Sequence, residues 1–296
     1  MASKVYFSKE ISPEKVVEMY KLLGIELPGK VAVKVHSGEK GNQNFLRPDF
    51  WKPMVDEVKG TIVECNTAYG DAFGGVRDHT ESHRKLIEYH GWNKVFDVDL
   101  MDAEGPDLVW PIPNGKVLKE NHVGKNIANY DSMLVLAHFK GHPMGGYGGA
   151  LKQLSIGCAS AEGKALIHSG GKSADNIQAW KVHADNVGFP ESMADAASTV
   201  VKHFKGKIAF INVMKNLSVD CDCVGNAAPP CMKDIGILAS LDPVAIDQAC
   251  IDLVYGSDDP GSATLIKRIE SRNGVHTIEA AAELGYGSRE YELTEV

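Results

Sequence analysis

Apolar and polar positions alternate over Val31-Ala-Val-Lys-Val35 just ahead of Gly38 and Gly41, which predicts a strand emptying into a glycine turn. Pro48 to Lys59 follows with helical spacing and a proline in its first turn. Thr61-Ile-Val-Glu-Cys65 reads as a second strand, Asp78 to His90 as a helix stopped by Gly91, and Lys94 to Val98 as a third strand. Strand and helix alternate, so the strands should lie parallel, joined by helical crossovers.

The second half repeats this grammar in Met133-Leu-Val-Leu-Ala137, Ile208-Ala-Phe-Ile-Asn-Val213 and Ile235-Gly-Ile-Leu-Ala239. Continuous apolar runs of this kind suit strands covered on both faces. Asp242-Pro243 supplies an N-cap and a first-turn proline for a helix over Val244 to Tyr255, which Gly256 ends, and shorter helices are predicted at Ser262–Ser271 and Thr277–Leu284. Gly170 to Pro190 is polar and without clear period, so it is expected to form a surface excursion. The pattern as a whole predicts an α/β protein with a parallel-sheet, Rossmann-like architecture. Gly105, Pro106, Pro111, Pro113 and Gly115 cluster near its middle. They divide the chain into lobes at 1–120 and 121–296 with a cleft between them, unless it forms one continuous domain.

Composition narrows the function classes. With 296 residues, 44% hydrophobic and 24% charged, the chain can bury a large core. Its 31 Lys and Arg against 39 Asp and Glu give a net charge of −8, the wrong sign for neutralising phosphates along a nucleic acid. No apolar run approaches the ~20 residues of a membrane helix and Met1–Phe7 holds no signal-peptide core, so no membrane partner and a cytoplasmic location are expected. Six cysteines are too few for a disulfide scaffold. Cys65 and Cys250 lie in apolar runs and belong to the core, which leaves Cys158, Cys221, Cys223 and Cys231 for chemistry.

Three segments at strand ends can carry that chemistry. His138-Phe-Lys-Gly-His-Pro-Met-Gly-Gly-Tyr-Gly-Gly-Ala-Leu-Lys152 joins glycines to His142 and Lys152, a combination suited to cradling an anion or cofactor, with Gly148 and Gly149 as ligand contacts. It matches neither a Walker loop nor the full dinucleotide fingerprint. Asp220-Cys-Asp-Cys-Val-Gly-Asn-Ala-Ala-Pro-Pro-Cys231 offers soft thiolates for zinc, copper or an iron–sulfur centre, with Cys158 as a fourth ligand, and its aspartates either face water or fix a histidine. Asn66 to His79 includes Tyr69, Arg77 and His79 and is followed by His83. Arg77 can clamp a carboxylate with its planar fork, and His79 or His83 can move protons. His36 ends the first strand at the same edge, as a turn residue or a minor site member.

Asn66-Thr-Ala-Tyr-Gly, Ala137-His-Phe-Lys-Gly-His, Gly157-Cys-Ala-Ser-Ala-Glu-Gly-Lys, Asp220-Cys-Asp-Cys and Asp234-Ile-Gly-Ile-Leu-Ala-Ser-Leu-Asp-Pro-Val-Ala-Ile-Asp together resemble domain-of-unknown-function family 362 over most of residues 30–255. The resemblance implies an iron–sulfur centre protein. Many members carry an inserted ferredoxin-like unit, but the stretch between His168 and Met193 has no cysteine here. Any cluster would have to use Cys158, Cys221, Cys223 and Cys231. A more distant resemblance is to the nickel-pincer lactate racemase family. His142, Gly145 to Gly149, Lys152 and His168 follow its order, with ten residues from His142 to Lys152 and sixteen from Lys152 to His168. It implies His142 as a relay, Lys152 as the pincer anchor and His168 as the nickel ligand.

These readings converge on a metal- or iron–sulfur-dependent protein, an enzyme of redox or isomerase type acting on a small anionic metabolite through His142, Lys152, His168 and His79. The alternatives are a non-catalytic metal-binding or electron-transfer protein with a redox partner, and a racemase-like enzyme; a homo-oligomer is compatible with each. The cysteine reading expects the Cys158, Cys221 and Cys223 sulfurs to meet. Arg77 is expected to face the cleft, and Lys152 and His168 to face one pocket with His142 between them.

Overall fold

The computed structural model describes residues 2–70 and 74–296. In chain order its sheet strands and early helices are β1 (Ser3–Ser8), α1 (Pro13–Leu22), β2 (Val31–Lys34), α2 (Pro48–Val58), β3 (Thr61–Glu64), α3 (Thr80–Tyr89) and β4 (Val98–Leu100). A small hairpin, β5 (Leu108–Pro111) and β6 (Glu120–Val123), precedes β7 (Ser132–His138). Then come the short ribbon β8 (Lys140–His142) and β9 (Gly146–Gly148), α4 (Ala150–Leu154), α5 (Ala161–His168), α6 (Gln178–Lys181) and α7 (Gly188–His203). The chain closes with β10 (Ile208–Met214), β11 (Gly236–Ser240), α8 (Pro243–Tyr255), α9 (Ser262–Ser271), α10 (His276–Glu283) and β12 (Tyr291–Glu295).

Eight strands form one sheet in the order β12-β1-β11-β10-β7-β2-β3-β4. β11 runs antiparallel to both its neighbours and the other pairings are parallel. The protein is therefore α/β with a mostly parallel central sheet. Strands from either side of residue 120 share that sheet, and the residue itself lies at the start of β6.

Side-chain alternation builds a core on each face. Ala32, Val63, Met133, Val135 and Phe210 point to the layer of α4, α7 and α8. Val33, Ile62, Leu134, Leu136 and Ile211 point to the opposite layer, where Val16 and Met19 of α1 and Trp51 and Met54 of α2 close the other core. With both faces covered, the uniformly apolar strand runs are explained. The helix at Asp242-Pro243 begins as its residues dictate: the Asp242 carboxylate accepts from the Val244 and Ala245 amides at 2.8 and 3.1 Å.

Two boundaries differ from the pattern. The third strand is Val98–Leu100 and not Lys94–Val98, because Trp92–Lys94 coils into a helical turn whose buried indole donates to the Ser37 carbonyl at 3.0 Å. The excursion at Gly170–Pro190 contains α6 and the first residues of α7. Among the described residues no helix is long and apolar enough to cross a membrane.

Candidate functional site

Reading across the sheet, β4-β3-β2-β7-β10 places the chain's direction of winding in reverse between β2 and β7. Loops leaving the carboxyl ends of neighbouring strands separate at such a point and open a crevice. A cavity of about 660 Å³ lies there, within the range of small-molecule sites. Residues after β2 (His36, Lys40), after β3 (Thr67, Tyr69, Arg77), after β8 (His142, Met144) and after β10 (Cys223, Asn226) line it. The helical layer adds Lys152, Lys164 and His168, and α6 adds Trp180.

The lining is strongly cationic in a chain of net charge −8. Among the described residues, Lys34, Lys40, Arg77, Lys152 and Lys164 face it against a single carboxylate, Glu64. Buried Lys34 donates to Glu64 at 2.6 Å, and the Ser37 amide donates to the other oxygen at 2.7 Å. Burial pushes the Glu64 carboxyl up, but Lys34, then Arg77 and His83, outweigh it and hold it at about 2. Arg77 enters the cavity wall as an internal pair: its Nε donates to Glu39 at 3.0 Å and its Nη2 to the Tyr69 hydroxyl at 3.3 Å. One edge of its fork is thus already taken. Tyr69 in turn donates to the Cys223 carbonyl at 2.6 Å and ties the loops after β3 and β10 together.

Cys221, Cys223 and His36 form a buried-to-half-buried donor group, with one ligand atom from each within 4.8 Å of the others. The loop carrying the cysteines is clamped to the loop after β2, since the Glu39 amide donates to the Asp222 carbonyl at 2.8 Å and Asn42 to the Val224 carbonyl at 2.8 Å. Asp222 itself turns inward. It faces His138 Nδ1 at 2.9 Å and accepts from Lys140 at 2.6 Å, so the histidine alternative is the one realised.

The two thiols are electrostatically linked. For Cys221, burial opposes ionisation, but the Cys223 hydrogen bond and the charges of Lys152 and Lys140 outweigh it and draw the thiol well down. Cys223 is pushed up, first by that hydrogen bond and then by burial. Of the two, Cys221 gives up its proton more readily. Lys152 Nζ lies 3.7 Å from the Cys221 sulfur.

His142 faces the same group. Its Nδ1 accepts from the Met144 and Gly145 amides at 3.2 and 2.8 Å, so a neutral ring keeps its proton on Nε2, 3.7 Å from the Cys223 sulfur. Burial, then Lys152, His168 and Lys140, keeps its pKa well below the usual histidine value. His168 is packed between Phe189 (ring centroids 4.8 Å) and Trp180 (4.9 Å), and burial, then Lys152 and Lys164, lowers it to about 3. His142, Lys152 and His168 thus line one cavity.

Other expected residues lie elsewhere. The Cys158 thiol is fully buried and donates to the Gln153 carbonyl at 3.5 Å, and burial pushes it up to about 11. It is not part of the group formed by Cys221 and Cys223, where His36 stands in its place. Cys231 is held against the Leu217 carbonyl at 3.2 Å. His79 precedes α3 with its side chain 83% exposed, beside Asp78, while His83 is buried against Asn66 at 3.1 Å. The segment Asp71-Ala-Phe73 of the same motif lies outside the described residues.

The glycine loop already holds an anion of its own. Ala150 and Leu151 amides donate to the Asp247 carboxylate at 2.8 and 3.0 Å, and a Cβ on Gly149 would sit 2.4 Å from that carboxylate. Gly149 therefore serves close packing, and neither Gly148 nor Gly149 is among the residues that line the cavity.

The pattern along the chain missed Lys34, Glu64, Lys164 and Trp180. Lys34 and Glu64 looked like the polar beats of their strands, and Trp180 falls in the excursion that lacks a period. The usable signal was position, since Lys34 and Glu64 both end parallel strands.

The family described as Domain of unknown function (DUF362) matches residues 31–252. No curated protein matches the sequence. Among solved structures, the lactate racemase apoprotein from Thermoanaerobacterium thermosaccharolyticum is 14% identical, with 70% of this chain and 50% of that chain covered and a TM-score of 0.41. A structural-genomics crystal structure of a Thermotoga maritima protein is 12% identical, with 92% and 59% covered and a TM-score of 0.42. The chain spans between half and three-fifths of the length of these two proteins.

Proposed function

The chain belongs to the DUF362 family, and from that starting point we propose that it is an enzyme that binds a small anionic metabolite in the cavity at the β2/β7 crevice and works with one thiophilic metal ion at Cys221, Cys223 and His36. The observation that carries this reading is the placement of the three donors within 4.8 Å of one another, with His36 and Cys223 on a cavity wall that holds five cationic side chains and one carboxylate among the described residues.

A four-cysteine cluster does not fit the residues present, because Cys158 and Cys231 are committed to carbonyls away from the pair. A single ion fits better. Thiolate sulfur selects zinc or copper among abundant ions, and the cavity leaves room for a ligand beside three protein donors. The sulfurs are the stronger donors. The Gly38 amide donates to His36 Nδ1 at 3.0 Å, so ligation through Nε2 would have to displace the ring's remaining proton. When bound, such an ion would polarise a carbonyl or carboxylate oxygen of the ligand.

The protein's own groups supply the rest. Lys152 and Arg77 present positive charge to the acid end of the ligand, and Trp180 and Met144 cover its apolar part. His142 holds a proton on Nε2 at neutral pH without carrying charge, which suits it to donate to an oxygen that becomes negative. Isomerisation next to a carboxylate and a redox step on it are both compatible with this set.

Cobalt(II) titration of the purified, reduced protein tests the reading. One equivalent should produce a sulfur-to-cobalt charge-transfer absorption that Cys221→Ser and Cys223→Ser each abolish and Cys158→Ser preserves. A band that survives loss of either vicinal cysteine, or no band at all, overturns the metal site.

A further inference from the structure

One buried cation in the cavity has no use in the metal reading. Lys164, in the first turn of α5, is 5% exposed and donates to the Ala159 carbonyl at 2.6 Å. Lys34 and Arg77 are neutralised by Glu64 and Glu39, whereas no carboxylate lies within ion-pair distance of Lys164 among the described residues. An ammonium held out of water without a counter-charge loses its proton more easily than an exposed one. Burial is the largest influence on Lys164 and draws its pKa below the usual lysine value. Cys65, Asp102 and Glu64 oppose that shift and Lys34 adds to it.

A free amine in a cavity that attracts anions is a nucleophile waiting for a carbonyl. We propose that Lys164 is a reactive amine that condenses with the carbonyl of a small 2-oxo acid held in the cavity by its carboxylate. The inference rests on the anion-binding reading of the cavity. The Lys164 lone pair forms a C–N bond with the carbonyl carbon, both amine protons leave with the carbonyl oxygen as water, and the step needs no oxidant or reductant. His168, neutral and lining the same cavity, is the group we assign to pass the proton to the departing oxygen.

Incubation of the full-length protein with pyruvate and sodium cyanoborohydride, followed by peptide mass mapping, tests this. Burial leaves Lys164 more of its free base near neutrality, so the reduced adduct should form on Lys164 in preference to the exposed Lys85 and Lys9. Lys164→Met should abolish the adduct. Because that variant removes a buried donor, the wild-type protein supplies a measurement independent of its folding: labelling of Lys164 should fall off at a lower pH than labelling of Lys85. If pyruvate raises the melting temperature but labels Lys164 no faster than surface lysines, the inference is overturned and the anion site stands. If neither pyruvate nor phosphate changes the melting temperature and Lys164 is not labelled, the anion site falls with it.

Discussion

Lys34 and Glu64 end adjacent parallel strands and are 0% and 3% exposed, so the fold carries this ion pair in its interior. The Lys34 ammonium also donates to the Val35 carbonyl. Taking both charges from water is costly, and the pair is retained only with every lone pair and proton satisfied. Glu64 is held at about 2, below its ordinary 4.5, so its contribution is complete above pH 4.5 and is lost as the pH falls from 4.5 toward 2. Glu64→Gln should cost about 3–5 kcal/mol near neutrality because it leaves Lys34 buried and uncompensated. Urea unfolding of both proteins checks it: the gap should narrow between pH 7 and pH 3. A gap that does not change with pH would mean that Glu64 acts through shape alone.

At the scale of elements, the short helix α4 owes its start to a residue on α8. Asp247 receives the Ala150 and Leu151 amides, Asn212 Nδ2 at 2.7 Å and the Tyr147 hydroxyl at 3.1 Å, and burial pushes its carboxyl up to about 6 against those hydrogen bonds. Gly149 is glycine because a methyl group would press on that carboxylate at 2.4 Å. Gly149→Ala should therefore lower stability by about 1–3 kcal/mol, the scale of overpacking, measured as a shift in thermal midpoint. An unchanged midpoint would show that α8 can withdraw. The same elements show what a sequence pattern can convey. Asp242-Pro243 announced α8 because capping is local, and the continuous apolar runs announced β7 and β10 because both faces are apolar. The pattern announced no helix over α7, whose buried Ala194, Ala196 and Ala197 make its inner face small rather than strongly apolar. The Asp247 clamp joins residues about a hundred positions apart, which no local pattern can reveal.

At the scale of the whole molecule, net charge and site charge have opposite signs. The strand ends at which the candidate cavity opens were legible, since crevices form where parallel strands end and the winding reverses. Its electrostatics were not, because Arg77 meets Glu39, and Asp222 meets His138, only through tertiary folding. A net charge of −8 repels an incoming anion from afar, but that repulsion is screened beyond about 8 Å at physiological salt. Inside the cavity Lys152 acts at contact distance, where salt penetrates little. Lys152→Gln should therefore weaken pyruvate binding by about 1.5–3 kcal/mol, the scale of a charged hydrogen bond. The loss should be nearly the same at low and high ionic strength. Calorimetric titration at the two salt concentrations separates the cases, because a merely long-range contribution from Lys152 would disappear at the higher one. Such a disappearance would remove Lys152 from the ligand's contacts and leave Arg77 and Lys34, already paired with Glu39 and Glu64, as too well satisfied to recognise an anion unaided.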